Sequence, residues 1–169
     1  MRVLLAVVPV LALAACASAP PSGTRPRALV LMEVSGGSPE TEAFVGRFLS
    51  VLTDRGAGNV ADARLAGAKL DVLRDPSSSE AVRFRSAYPG DGYLGIDLPP
   101  CYFAGRATGL KCPATVTLLS PDGKELAKLE TSASNSTGYS SGSDSNPEAE
   151  ATRAAAEKAA KKLLDVLSR

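Results

Sequence analysis

Residues Ala28–Gly56 read ALVLMEVSGGSPETEAFVGRFLSVLTDRG, an apolar run followed at once by an amphipathic one. Ala28–Val34 is almost continuously apolar, as expected of a central strand covered on both faces. After the Ser-Gly-Gly break, Ser38 suits a helix cap, Pro39 suits the first helical position, and Glu40 and Glu42 suit the positive end of the helix dipole. Phe44, Val45, Phe48, Leu49 and Leu52 share one face of that helix, and Gly56 ends it. A buried strand followed by a helix with one apolar face needs a sheet for the helix to cover, which places the chain in the α/β class.

Outward from that unit, GNVADAR is a short strand candidate, and Arg64–Leu73 carries Ala66, Leu70 and Leu73 at helical spacing. Glu80–Tyr88 reads either as a helix capped by Ser79 or as an extended segment, because Val82, Phe84 and Tyr88 fit neither period cleanly. In GYLGIDL, Leu94, Ile96 and Leu98 alternate inward as in a strand, and Pro99 ends it. ATVTLLS and KELAKLETSAS flank Pro121, Asp122 and Gly123, whose turn chemistry predicts a hairpin. Ser132–Asn146 is polar and low in complexity, hence a loop or an extension of the last strand. Pro147–Arg169 is the clearest helix: two glutamates at its start, Lys161, Lys162 and Arg169 near its end, and a stripe of Ala151, Ala155, Ala159, Leu163 and Val166. That apolar face is mostly alanine, which favours packing on a sheet over lying on a membrane. The expected fold is α/β (α+β): one domain, residues 28–169, with a mixed sheet of about four to five strands, an amphipathic helix after the first strand and a long C-terminal helix.

The amino-terminal segment says where such a domain would work. Val3–Ala15 is uncharged and follows Arg2, but it is shorter than the roughly 20 apolar residues that a membrane span needs. It reads as a signal peptide covering residues 1–15. Leu13-Ala14-Ala15-Cys16 resembles a bacterial lipobox, in which the cysteine thiol is acylated and becomes the mature amino terminus. The resemblance implies anchoring through Cys16, and Ala17 after it, where an aspartate would mean inner-membrane retention, points to the periplasmic side of the outer membrane. Residues 16–27 then form a proline-containing tether.

Charge and residue usage narrow the function. The chain has 19 Lys+Arg against 18 Asp+Glu, and removing residues 1–15 takes away Arg2 and leaves 18 against 18. Neutrality without a basic stripe argues against a nucleic-acid partner. With no histidine in the chain, Ser-His, Cys-His and histidine-metal chemistry are absent. Gly36-Gly37 matches neither phosphate-loop pattern, and Glu33, Glu40 and Glu42 would repel an anion there. Asp91 and Asp97 at the ends of a strand are a conceivable carboxylate pair, the basis of a rival reading as a periplasmic carboxylate hydrolase, but surface solvation explains both. No enzyme activity, metal or cofactor is expected; the oligomeric state is open.

Cys101 and Cys112 bound the stretch CYFAGRATGLKC. With Cys16 spent on lipid they form an even pair in an oxidising compartment and read as a disulfide; the spacing is unlike a C-x-x-C redox motif. Between them, Tyr102 and Phe103 stand near Arg106 and Lys111, a mixture of types that dominates binding hot spots. Two readings stay open: the rings fold back over the sheet edge as a satellite core, or they form the contact surface for an envelope protein.

The order of elements, carried by ALVLMEVSGGSPETEAFVGRFLSVLTDRGAGNVADAR, GDGYLGIDL, ATVTLLSPDGKELAKLETSAS and the alanine-rich helix, resembles the TolB amino-terminal-domain type. Gly92-Tyr93-Leu94-Gly95 stands where that group often has an Ala-Asp-Tyr strand start, and Ser120–Leu126 matches its hairpin. The group includes outer-membrane lipoproteins that activate penicillin-binding proteins and the curli secretion-channel lipoprotein. The resemblance implies a module that works by protein contact, as an envelope adaptor or regulator or as an accessory subunit of an export complex. The cysteine-bounded insertion between Leu98 and Ala114 departs from the pattern.

Overall fold

The computed structural model of the chain describes residues 28–36, 38–104, 109–135 and 146–169. The signal peptide, Cys16, the tether, Arg106 and most of the serine-rich stretch lie outside the described residues. In chain order the elements are β1 (Ala28–Gly36), α1 (Thr41–Asp54), β2 (Asn59–Asp62), two short 3-10 turns (Arg64–Ala66 and Leu70–Arg74), α2 (Ser79–Ala87), β3 (Gly92–Leu98), β4 (Tyr102–Phe103), β5 (Leu110–Leu119), β6 (Glu125–Asn135) and α3 (Pro147–Leu167).

The sheet has six strands, one more than the sequence pattern supplies, because the two-residue β4 adds itself to β5. β1 pairs in parallel with β2 on one side and β3 on the other. β5 runs antiparallel to β3 and to β6, and β6 and β2 form the edges. Parallel neighbours need crossovers, and α1 supplies the one between β1 and β2.

Alternation along β1 divides its side chains between two cores. Leu29 and Leu31 face α1 and α3, together with Phe44, Phe48, Leu94 and Leu163. Val30 and Met32 face the opposite side and meet Leu73, Phe84, Tyr93 and Leu119. This is why β1 reads as a continuous apolar run. β3 is covered on both faces too, so Tyr93 is buried as well as the expected Leu94, Ile96 and Leu98. The Tyr93 hydroxyl donates to the Tyr88 carbonyl at 3.1 Å, which satisfies a polar atom inside an apolar cluster. Burial pushes its phenol above the usual value.

Several local expectations are corrected. α1 starts at Thr41 without a side-chain cap. Pro39 and Glu40 form a turn ahead of it, in which the Ser38 Oγ accepts from the Glu40 amide and the Ser38 carbonyl accepts from the Thr41 hydroxyl. Arg64–Leu73 is not one helix. Gly67, at φ +70°, ends the first 3-10 turn; Leu70 and Leu73 are buried, with Ala68 and Val72 packed partly against them, while Ala66 is exposed and Leu65 fully exposed. Residues 79–87 are helical, and the cap is Ser78, one residue earlier than Ser79, its Oγ accepting from the Ala81 amide at 3.2 Å. In α3 the stripe ends on Leu167 with Val166 half-buried, because the buried face continues four residues on from Leu163.

α3 is capped by Asn146, whose Oδ1 accepts from the Glu148 and Ala149 amides at 3.0 and 3.4 Å. Ala151, Ala155, Ala156, Ala159 and Ala160 are all buried, and these small side chains let the helix lie close to β5, β6 and α1. Among the described residues no helix is long and apolar enough to cross a membrane.

Candidate functional site

Leu98 ends β3 at a break made by chemistry: Pro99 and Pro100 have no N–H to give to β5. Asp97 pairs with Thr115, but Tyr102 pairs with Lys111 and Phe103 with Leu110, so one more residue is used on this side than on β5. β4 is therefore a bulged continuation of β3, and with the start of β5 it forms a hairpin at the end of the sheet. Gly36 sits against this break with φ +111°, where a Cβ would lie 2.0 Å from the Leu98 carbonyl oxygen.

A disulfide between Cys101 and Cys112 closes the base of the hairpin, with Cα atoms 4.3 Å apart. The Cys112 sulfur is 4.0 Å from the Glu148 carbonyl oxygen and the Cys101 sulfur 3.9 Å from the Thr152 hydroxyl, so the first turns of α3 lie directly over the staple. A space of only about 10 Å³ remains between the staple, Phe44 and Ala155. It is at the lower limit for holding one water. The base of the hairpin is packed, its β5 strand pairs on with β6, and β4 is the exposed part.

The two aromatic side chains of β4 are exposed, Tyr102 to 49% and Phe103 to 74%. The reading in which both rings fold back as satellite core does not hold. The side chains of successive strand residues point to opposite faces, so the two rings do not share one apolar surface. Lys111, directly across from Tyr102, places its Nζ 6.0 Å from the ring centroid, a cation–π arrangement.

The other candidates serve the sheet. An Asp91 carboxylate oxygen accepts from the Ala28 amide at 3.0 Å, and Asp97 accepts from the Ser35 hydroxyl at 2.9 Å, so each ties β3 to β1 at one end. Among the described residues no three His, Cys, Asp or Glu side chains are grouped to hold a metal ion.

One feature escapes sequence reading. On the β6 side of α3, Lys158 Nζ donates to the Ser132 carbonyl at 3.2 Å and Lys162 Nζ to the Glu130 carbonyl at 2.8 Å. These carbonyls belong to the outer edge of the sheet, across from Thr115 and from Pro113, which has no N–H to offer. The lysines and the hairpin border an open cleft of about 690 Å³. Arg47 donates to Glu157 and holds its carboxyl below the usual range, and Glu157 in turn lies 3.9 Å from Lys161, which also lines the cleft. The lysine pair is visible in the sequence as i, i+4 charges, but only the fold brings an open strand edge to it.

No protein-family model matches the chain, and no curated protein matches it. Solved structures do resemble it. The PelC dodecamer from Paraburkholderia phytofirmans superposes with a TM-score of 0.54 at 10% identity, over 84% of this chain and 92% of that one. The hypothetical protein CT253 from Chlamydia trachomatis gives 0.51 at 11% identity, over 83% and 98%. The lipoprotein GNA1162 from Neisseria meningitidis gives 0.45 at 16% identity, over 69% and 86%. At these identities the likeness is one of fold.

Proposed function

We propose that this protein is a lipid-anchored, periplasm-facing adaptor of a bacterial cell-envelope assembly, and that it acts by protein contact through the stapled hairpin. The observation that carries the reading is the exposure of Tyr102 and Phe103 on a strand whose base is covalently closed. Exposed aromatics are the residue type that anchors interfaces, and a loop held in its bound shape loses less entropy on association. The lipobox at Cys16 supplies the anchor, Ala17 the outer-membrane address, and residues 16–27 the reach. The TolB amino-terminal-domain resemblance supports the same reading, because that group works through protein contacts.

Two experiments test it. A photo-crosslinking amino acid at position 103 in living cells is expected to give one discrete adduct with an envelope protein, whereas the same probe at Val82, exposed on α2, gives none. Adducts at Val82 with none at position 103 would move the interface elsewhere. Palmitate labelling of the wild-type chain should be lost in Cys16→Ser; an unlabelled wild-type chain would remove the anchor.

A further inference from the structure

We propose that the cleft between β6, the hairpin and α3 binds an acidic glycan, a sugar strand carrying carboxylates. The inference goes beyond the protein-contact role: it shares Tyr102 and Lys111 with the hairpin and otherwise rests on lysines of α3. Lys111, Lys158, Lys161 and Lys162 all line the cleft, against the two carboxylates of Glu130 and Asp165 and with Lys161 also 3.9 Å from the Glu157 carboxylate behind it, four cations to three anions. This is a local excess of positive charge in a chain whose formal net charge is +1. The partners of Lys158 and Lys162 are backbone carbonyls, which fix the ammonium groups but leave their charge uncancelled. An ammonium has three N–H donors, so each retains two for a ligand. Among the described residues Lys111 makes no ion pair either and is held over the Tyr102 ring.

The remaining lining suits a sugar. The Tyr102 ring gives a flat, half-exposed surface at one end, against which the C–H face of a pyranose can stack, and Thr115 and Ser132 add half-buried hydroxyls. A volume of about 690 Å³ falls among those of small-molecule sites, and the cleft is open to solvent, as a polymer passing through requires. A membrane-surface site would instead combine basic residues with apolar side chains to insert, and apolar side chains of that kind do not line this cleft.

The test titrates the full lipidated chain in detergent micelles with trigalacturonate, with maltotriose as its neutral counterpart, and with glycerophosphoglycerol as the soluble headgroup of an anionic lipid. Trigalacturonate is expected to bind and to weaken as salt is raised. Maltotriose and glycerophosphoglycerol should bind at least about tenfold more weakly, the loss of more than one charge contact. The double variant Lys111→Gln with Lys161→Gln spares the two lysines that hold β6, should keep the wild-type melting temperature, and should weaken trigalacturonate about fivefold. The Lys→Arg pair should restore binding, and Phe103→Ala should leave it unchanged while affecting protein contact. Equal binding of maltotriose, preference for glycerophosphoglycerol, or wild-type affinity in the glutamine variant would each overturn the proposal.

Discussion

Tyr93 and Tyr102 stand on what is almost one strand, interrupted by two prolines, and they meet opposite surroundings. Tyr93 is 1% exposed, edge-on to Phe84, its hydroxyl bonded to a backbone carbonyl. Tyr102 is 49% exposed and has a lysine above it. The centre of the sheet is held by apolar burial on both faces, whereas the hairpin end, with its two rings exposed, is held by strand pairing with β6 and by a covalent bond with α3 laid over it. Under the proposed function the exposed aromatic side chains serve contact and add little to the hairpin's own stability, and the staple takes over that role.

The contrast sets an order of expected effects. Leu94, fully buried in the centre of β3, is expected to cost about 4 kcal/mol as Leu94→Ala, a deleted core side chain and the cavity left behind. Urea unfolding with an unchanged m-value would show it; a loss below about 1 kcal/mol would mean the centre is not what holds the fold. Replacing both Cys101 and Cys112 by serine should cost about 3 kcal/mol in the chain-entropy model, and proteolysis should then cut the hairpin first. Wild-type stability and resistance would show strand pairing alone to be sufficient. Asn146→Ala removes the cap of the helix that covers the staple and should cost about 1 kcal/mol, read from the same unfolding curves.

What the sequence shows and what it hides divide along the same line. β1 and α3 are legible because their burial is written in long, regular patterns: a continuous apolar run covered twice, and an alanine stripe with asparagine and proline at its start. α2 is ambiguous for a physical reason. With only Ala81 and Phe84 buried, its nine residues carry too few inward positions to fix a period. The Arg64–Leu73 region misleads because Leu70 and Leu73 satisfy a helical spacing that a 3-10 turn satisfies equally, and Gly67, between Ala66 and Leu70, takes a left-handed conformation. At the hairpin, composition locates the cysteine pair and the aromatic pair, but whether a ring is covered depends on the reach of other elements, which no local pattern encodes. The cleft is the extreme case, because it needs the edge carbonyls of β6 beside lysines from α3.

The central claim is that the hairpin is free of the core and kept for contact, and it is tested most directly by measuring melting and capture together on one variant. Tyr102→Ala with Phe103→Ala should change stability by no more than about 0.5 kcal/mol per ring, as exposed positions do, while capture of the envelope protein crosslinked at position 103 is lost. A large fall in melting temperature with capture retained would place the rings in the fold's own core and contradict the claim.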